Sequence, residues 1–560
     1  MKKITKLFSI FSIFIAPSVI SCSSTQSFYL ANYESYISDS LLSEIESEFS
    51  SSNFNYRTYS TNEDLERNFL TNYDVAIPSL YLAAKYANEG KLLPIDWKSF
   101  NLYKLDENGI QTTELIENAS DALSLFTPQT QSQLKAYWLD DAFKIDQISE
   151  TNQDAGLLNY CVPYFLQDVS FGFNLSLIEK EISDLNWNEY NNYLNYLNNS
   201  LKNSWNDIID YLYKKTNDGS LKERTAVVDD YSTLYSIARI MQTENSNKIT
   251  VNPDYTESNK LQSYEGKLSI EQAFDTLKYL FNFDKIEKKN AILLNSDSNT
   301  LLNDFAKDFS QAIISYNGDL LYAMQGGDDN NSFNDENGEE DFQNWMTKNL
   351  VTIKENETDE KRDFKLKLIK PEATLSVMDC MVINKDLTAK KGTVETAHEV
   401  IKKIGLEGSD LSLYDSKENK VYSESETIFS VDEEDEYIYG PMLNFDYVNY
   451  TSPLLTINAY VMNSSSDLSK YESEQSYNSF STLEQSNGYF TDLFSWINQD
   501  DEESESGFLS EEEYSSYIQT LIEAYHISEE QNYNKYINLL NKNLPDLVKS
   551  NISWAWSNIK

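Results

Sequence analysis

Histidine, cysteine, glycine and proline are scarce in this 560-residue chain, and basic residues are too few to balance its acids. Two histidines, His398 and His526, leave no multi-histidine metal site and little scope for histidine-based proton transfer. The three cysteines, Cys22, Cys161 and Cys380, contain no CxxC pair, which excludes zinc ribbons, redox motifs and a disulfide framework. GxSxG, HExxH and nucleophile–histidine arrangements are missing as well, so the chain is expected to be no enzyme and to need no cofactor or metal. With 45 Lys and Arg against 90 Asp and Glu, the formal net charge is −45. That charge disfavours binding to nucleic acid or anionic lipid through a basic face. The partner left is neutral or cationic.

What is present is enough to fold. Hydrophobic residues are 40% and aromatics 13%, too many for a disordered acidic polymer, and the length predicts two to four domains. Residues 1–22 read MKKITKLFSIFSIFIAPSVISC, with a basic start at Lys2, Lys3 and Lys6 and an apolar stretch from Leu7 to Ile20. That stretch has signal-peptide length and is short for a spanning helix; no later apolar run approaches the roughly 18 residues a span needs. Cys22 follows Val19-Ile20-Ser21 and precedes a polar tether, residues 22–26, a pattern similar to a bacterial lipoprotein signal. The expectation is a signal peptide over 1–21 and lipidation at Cys22, which places the rest at the extracellular face of the cell membrane. Ile20 departs from the small residue usual there, and an ordinary signal peptide with an incidental cysteine is the alternative.

From Phe28 the pattern alternates strands and helices. FYLANY reads as a strand, SLLSEIESEF as an amphipathic helix, FNYRTYS as a strand, and TNEDLERNFL as a helix capped by Thr61 with Asp64 three residues on. YDVAIPS is a buried strand and YLAAKYANEGKL a helix ending at Gly90. The grammar returns at TAVVDD, YSTLYSIARIM, AIISYNG, DLLYAMQ, MDCMVIN and TVETAHEVIKKIG, predicting α/β units with a mainly parallel sheet. Acidic insertions interrupt it at residues 326–342, 408–437 and 498–513. Around Gly338 an EF-hand reading fails, because Phe333 stands where the first Asp ligand belongs and Asn344 where the closing Glu belongs. Solvated loops account for these segments.

Ten ordered fragments between about residues 28 and 458 resemble the periplasmic spermidine/putrescine-binding proteins of bacterial ABC importers. They include FYLANYESYISDSLLSEIESEF, YRTYSTNEDLERNF, YDVAIPSLYLAAKYANEGKLLPID, NYCVPYFLQDVSFGFN, AVVDDYSTLYSIARIM, IISYNGD, MDCMVINKD and VNYTSP. The resemblance implies a two-lobed, type II periplasmic-binding-protein-like α/β fold, with ligand held between lobes at the carboxyl ends of parallel strands. On this mapping lobe one is 27–168 plus 379–458 and lobe two is 169–378 plus 459–560, with the first crossover near Gln167 to Ser170. After residue 460 no alignment is found. The implied partners are a polyamine ligand, ABC permease subunits with a cytoplasmic ATPase, and the membrane through the lipid anchor, without nucleic acid.

A polyamine needs carboxylates set apart for its ammonium groups and aromatic faces for its methylenes. Carried over position by position, the resemblance offers Tyr33, Ser79, Tyr81, Asp230, Ser296, Tyr316, Asp379 and Tyr450. Asp379 and Asp230 would hold ammonium groups, the four tyrosines would form an aromatic box, and the serines would add hydroxyl or main-chain contacts. Thr233 stands where the family has a second carboxylate, Val377 and two of the tyrosines where it has tryptophan. Asp168, Glu34 and Asp319 are nearby acids that would compensate. Asp230 has the alternative of capping the helix that starts near Tyr231. Asp74 reads as structural, Cys161 and Cys380 as buried free thiols, and His398 as a surface residue. The alternatives to polyamine capture are another organic cation such as thiamine, or an adhesin that kept the fold; the adhesin is favoured if Asp379 and Asp230 do not converge on one cleft.

Overall fold

The structure is a computed structural model. It describes residues 27–559 except 107–108, 140–149, 180–181, 202–203, 217–218, 246–268, 282–290, 325–347, 357–359, 372–373, 390–392, 413–427, 429, 431–436, 463–523 and 526–545. The signal segment with Cys22, two of the acidic insertions, most of the third and His526 therefore lie outside the described residues.

Among the described residues nine strands form one continuous sheet: β1 (Phe28–Tyr33), β2 (Phe54–Tyr59), β3 (Val75–Ala76), β4 (Cys161–Asn174), β5 (Thr225–Val228), β6 (Ile292–Asn295), β7 (Ala312–Tyr316), β8 (Leu366–Ile369) and β9 (Ser376–Ile383). The order is β2-β1-β3-β9-β4-β7-β5-β6, with β8 antiparallel to β4. Strands β2, β1 and β3 run parallel, as do β7, β5 and β6, whereas β4 and β9 are antiparallel to their neighbours. Two parallel units are thus joined by a pair of antiparallel crossover strands. This is the two-lobed type II α/β architecture.

Local chemistry explains the elements around the cleft. Helix α1 (Asp39–Glu48) buries Leu41 and Ile45, one turn apart. Helix α2 (Asn62–Asn72) is capped by Thr61, whose hydroxyl accepts from the Asp64 amide. Helix α3 (Leu80–Asn88) ends before Gly90, which takes φ +67°. Asp74 is buried and structural: it accepts from the Tyr29 amide at 2.8 Å while its own amide donates to the Tyr29 carbonyl at 2.9 Å. These contacts fix β3 beside β1.

The sheet carries two apolar cores. Phe28, Leu30, Leu65, Phe69, Phe165 and Val382 belong to the first, and Phe171, Trp205, Ile237, Leu277 and Ile314 to the second. Strand β4 is buried along all fourteen residues and feeds both, changing partner from β9 to β7 between Asp168 and Val169. Each such side chain contributes about 1.5–3 kcal/mol by burial. In the second core, helices α4 (Tyr231–Asn245) and α5 (Ile270–Phe281) pack together. Helix α6 (Asn317–Met324) follows β7, and helix α7 (Thr393–Gly405) lies in the first core. Past residue 460, Ala524 and Tyr525 sit in the first core, while helix α8 (Asp546–Ser557) packs on α4 and α5.

One expectation is corrected here. His398 is buried rather than at the surface, because the apolar face of α7 turns it toward Phe100, 5.4 Å between ring centroids. The Asp96 amide donates to Nε2 at 3.0 Å, so the proton sits on Nδ1, 2.8 Å from the Val394 carbonyl. Cys161 and Cys380 are buried free thiols on adjacent strands.

Gly318, at the start of α6, is a close-approach position. A Cβ there would stand 2.0 Å from Cδ1 of Tyr450 and 2.7 Å from the Asn449 carbonyl. Gly318→Ala is expected to cost about 1–3 kcal/mol by overpacking and to displace the Tyr450 ring, read as a lowered thermal midpoint. An unchanged midpoint would show that the ring moves freely.

Candidate functional site

A cavity of about 1160 Å³ opens between the two parallel units. Its wall is built from the ends of β1, β5, β7 and β9 and from the first turns of α2, α3, α4 and α6, including Tyr33, Glu63, Tyr81, Asp230, Tyr316 and Asp319. The carboxyl ends of parallel strands and the starts of the helices after them thus face one space, where open α/β sheets hold ligands.

Asp379 is its innermost acid. The register between β9 and β4 shifts between Asp379 and Cys380, so Asp379 faces Phe165 and Cys380 faces Pro163. Proline has no amide to donate and is tolerated in a central strand beside such an irregularity. The shift leaves Asp379 bridged to Ser79, with the Cys380 amide donating to the Pro78 carbonyl at 3.0 Å. The carboxylate accepts from Ser79 Oγ at 2.7 Å, Tyr36 OH at 2.9 Å and Gln167 Nε2 at 2.7 Å. All three donors are neutral, and among the described residues no lysine or arginine is ion-paired with it. Burial pushes its carboxyl up to about 6, against the pull of the hydrogen bonds from Ser79, Tyr36 and Gln167.

Aromatic rings enclose this carboxylate. Tyr36 meets Tyr33 at 5.7 Å and Tyr450 at 5.5 Å between centroids, and Tyr450 meets Tyr316 at 6.5 Å, all near edge-to-face. Tyr33 leans on Tyr59 at 4.6 Å. Burial, then the Asp379 charge, raises the phenols of Tyr33 and Tyr36, so both stay protonated. On the opposite wall Asp230 accepts from the Ser232 and Thr233 amides at 3.0 and 3.2 Å and from Thr233 Oγ1 at 2.6 Å. It therefore caps α4 and lines the cavity at once. Thr233, in place of a second carboxylate, spends its hydroxyl on the first.

All eight residues expected from the sequence line this one cavity, Ser296 at its exposed rim, and so do Thr233 and Val377. Asp379 and Asp230 converge on it, which removes the ground on which the adhesin was to be favoured. Of the three compensating acids, Asp168 is spent elsewhere: it is buried, ion-paired with Lys370 and off the cavity wall. Asp319 lines the wall but is occupied by Ser315 Oγ at 2.6 Å and by the Tyr450 hydroxyl, and burial raises its carboxyl. Glu34 is exposed at the edge.

Among the wall residues that escaped the sequence reading are Tyr36, Gln167 and Glu63. Period-two alternation along β4 sets Gln167 on the face of Phe165 and Val169 and was the available signal. Tyr36, beyond the end of β1, had no periodic signal. Among the described residues no group of His, Cys, Asp and Glu could hold a metal ion, and no helix is long and apolar enough to cross a membrane.

A family model described as "Hypothetical lipoprotein (MG045 family)" matches residues 1–560. No curated protein matches the chain. Among solved structures it is similar to the Tp0655 (TpPotD) lipoprotein of Treponema pallidum, at 12% identity and a TM-score of 0.42 over 96% of this chain and 99% of that one. It is also similar to the spermidine/putrescine ABC transporter substrate-binding protein PotD of Streptococcus pneumoniae, at 16% identity and a TM-score of 0.37 over 81% of this chain and 88% of that one. A solute-binding protein from Thermotoga lettingae, solved with α-D-tagatose, is similar at 13% identity and a TM-score of 0.37 over 68% and 77%.

The electrostatics of Asp379 give a stability prediction. Its folded-state pKa of about 6 lies above the usual 3.9, so its contribution is fully present below about pH 4 and is lost as pH rises through 6. The unliganded protein is expected to lose roughly 2–3 kcal/mol on this account between pH 4 and 8. Asp379→Asn should flatten that part of the curve in denaturant melts at several pH values; a curve of unchanged shape would contradict the assignment.

Proposed function

The chain belongs to the MG045 family of lipoproteins, and from that premise we propose that it is the substrate-binding subunit of an ABC importer. It captures polyamines, spermidine or putrescine, between its lobes and delivers them to a permease served by a cytoplasmic ATPase. Lipidation at Cys22 tethers it to the extracellular face of the cell membrane.

The observation that carries the reading is Asp379: a buried carboxylate held by three neutral donors, without a lysine or arginine among the described residues, and walled by tyrosines. An unpaired buried charge is costly, and a cation entering the cavity removes that cost. Tyrosine faces attract an ammonium by about 0.5–2 kcal/mol and cover methylenes. Asp230 on the far wall supplies the second pole that a diamine needs. A net charge of −45 biases encounter toward cations without choosing among them.

Calorimetric titration with spermidine, putrescine and thiamine tests the proposal. Micromolar or tighter polyamine binding is expected, weakened at least about thirtyfold in Asp379→Ala, since breaking a buried charge pair costs roughly 2–5 kcal/mol. Affinity should be flat above about pH 7 and fall about tenfold per unit below 6, where Asp379 takes up a proton. Thiamine binding alone would keep the importer class and overturn the substrate; no heat with any of the three would overturn cation capture.

A further inference from the structure

Outside the crossover strands the two parallel units are also linked through α8, which packs on α4 and α5 and reaches α2. Val548, Ile552, Ala555 and Trp556 face the second core, and Trp556 Nε1 donates to Asp229 Oδ1 at 2.6 Å. That contact pins α8 beside Asp230. Lys549, next to the buried Val548, reaches the other way: its Nζ lies 3.4 Å from Glu66 Oε2. Glu66 is on α2, whose Leu65 and Phe69 are in the first core, and its carboxylate also takes Lys85 from α3. Burial alone would raise the Glu66 carboxyl; Lys85 and Lys549 outweigh it and hold it below the usual range.

Glu63 lies three residues, about one helical turn, before Glu66 and lines the cavity. Burial first, then the Asp230 charge, raises its carboxyl, while Lys549 acts in the opposite direction. The facing walls therefore oppose Glu63 on one side to Asp230 on the other, two like charges, while Tyr231 of α4 hydrogen-bonds Glu63 across the same gap. Lys549 is a cation that offsets Glu63, and it is partly buried, with 14% of its side chain exposed. Charge interactions of this kind are screened less than those in open solvent.

We propose that α8 is a cross-lobe clamp: anchored in the second core, it holds α2 through the Lys549–Glu66 pair and favours the closed cleft. A bound cation acts in the same direction, so the clamp raises affinity by shifting the population toward the binding-competent form. The clamp stands apart from the identity of the ligand.

Hydrogen exchange and small-angle scattering on the full chain without ligand test it directly. Lys549→Gln should raise exchange at least about threefold in residues 60–66 and 229–233 and enlarge the radius of gyration, with helical content unchanged by circular dichroism. Lys549→Arg should match the wild type, and Lys85→Gln, which removes only the partner of Glu66 within its own lobe, should leave the cleft closed. Glu66→Gln combined with Lys549→Gln should open it no further than the larger single effect. Wild-type exchange and scattering in Lys549→Gln, opening by Lys549→Arg equal to that by Lys549→Gln, or additive effects in the double variant would each overturn the clamp. With spermidine as probe, Lys549→Gln should release it several-fold faster. If spermidine does not bind the wild type, the polyamine reading falls, while the exchange and scattering results still decide the clamp.

Discussion

A carboxylate buried without a counter-cation governs the rest of the site. Asp379 can be accommodated only where several donors reach it, and the geometry of three chain segments meets that demand. The shift in register between β9 and β4 turns Asp379 toward Ser79, the loop after β1 brings the Tyr36 hydroxyl, and β4 supplies the Gln167 amide. Ser79 is held in turn by Asn62, whose Nδ2 donates to its Oγ at 3.0 Å. Each donor is neutral, so the arrangement solvates the charge without cancelling it. The residual cost is what the proposed cation would relieve.

The tyrosine wall follows from the same constraint. A ring beside an unpaired carboxylate must stay protonated and must place its hydroxyl where hydrogen bonds remain. Tyr36 meets this by donating to Asp379, and Tyr450 by donating to Asp319. Tyr450 reaches that position only because Gly318 has no side chain in its path. Tryptophan would present more π surface but only one donor and no acceptor. The tyrosines at 33 and 316 thus exchange area for hydroxyls: Tyr316 hydrogen-bonds to Thr233, which itself donates to Asp230. The two acidic poles are thus linked by the row of rings Tyr36, Tyr450 and Tyr316.

Much of this was legible in the sequence because local rules and the global fold agree. The β1–α1–β2–α2–β3–α3 order could be read from periodicity and from caps such as Thr61, since neighbouring residues decide both. Asp379, Asp230 and the tyrosines could be picked only through family resemblance, because composition cannot distinguish one of 39 tyrosines from another. Spatial partnership was not legible. Gln167, Tyr36 and Lys370 act on Asp379 and Asp168 from more than two hundred positions away or across the chain's crossover, and no local pattern encodes such pairs. His398 was misread for the same reason: an amphipathic helix shows which face is apolar, but a histidine at its edge is buried or exposed according to what docks there.

The distribution of lysines carries the last step. Ninety acids against forty-five bases guarantee that many carboxylates lack a partner, and at the surface water makes that inexpensive. Inside the protein the choice is selective. Asp363 is paired with Lys367, Asp168 with Lys370, and Glu66 with Lys85 and Lys549, whereas Asp319 is held by the hydroxyls of Ser315 and Tyr450. Among the described residues Asp379 and Asp230 have no such lysine partner, although Lys370 lies near enough to serve Asp168, the residue opposite Ser376 on β4. These two carboxylates line one cavity from opposite walls, each held by neutral donors. This placement, more than the overall acidity, is what supports the proposed capture of a cation.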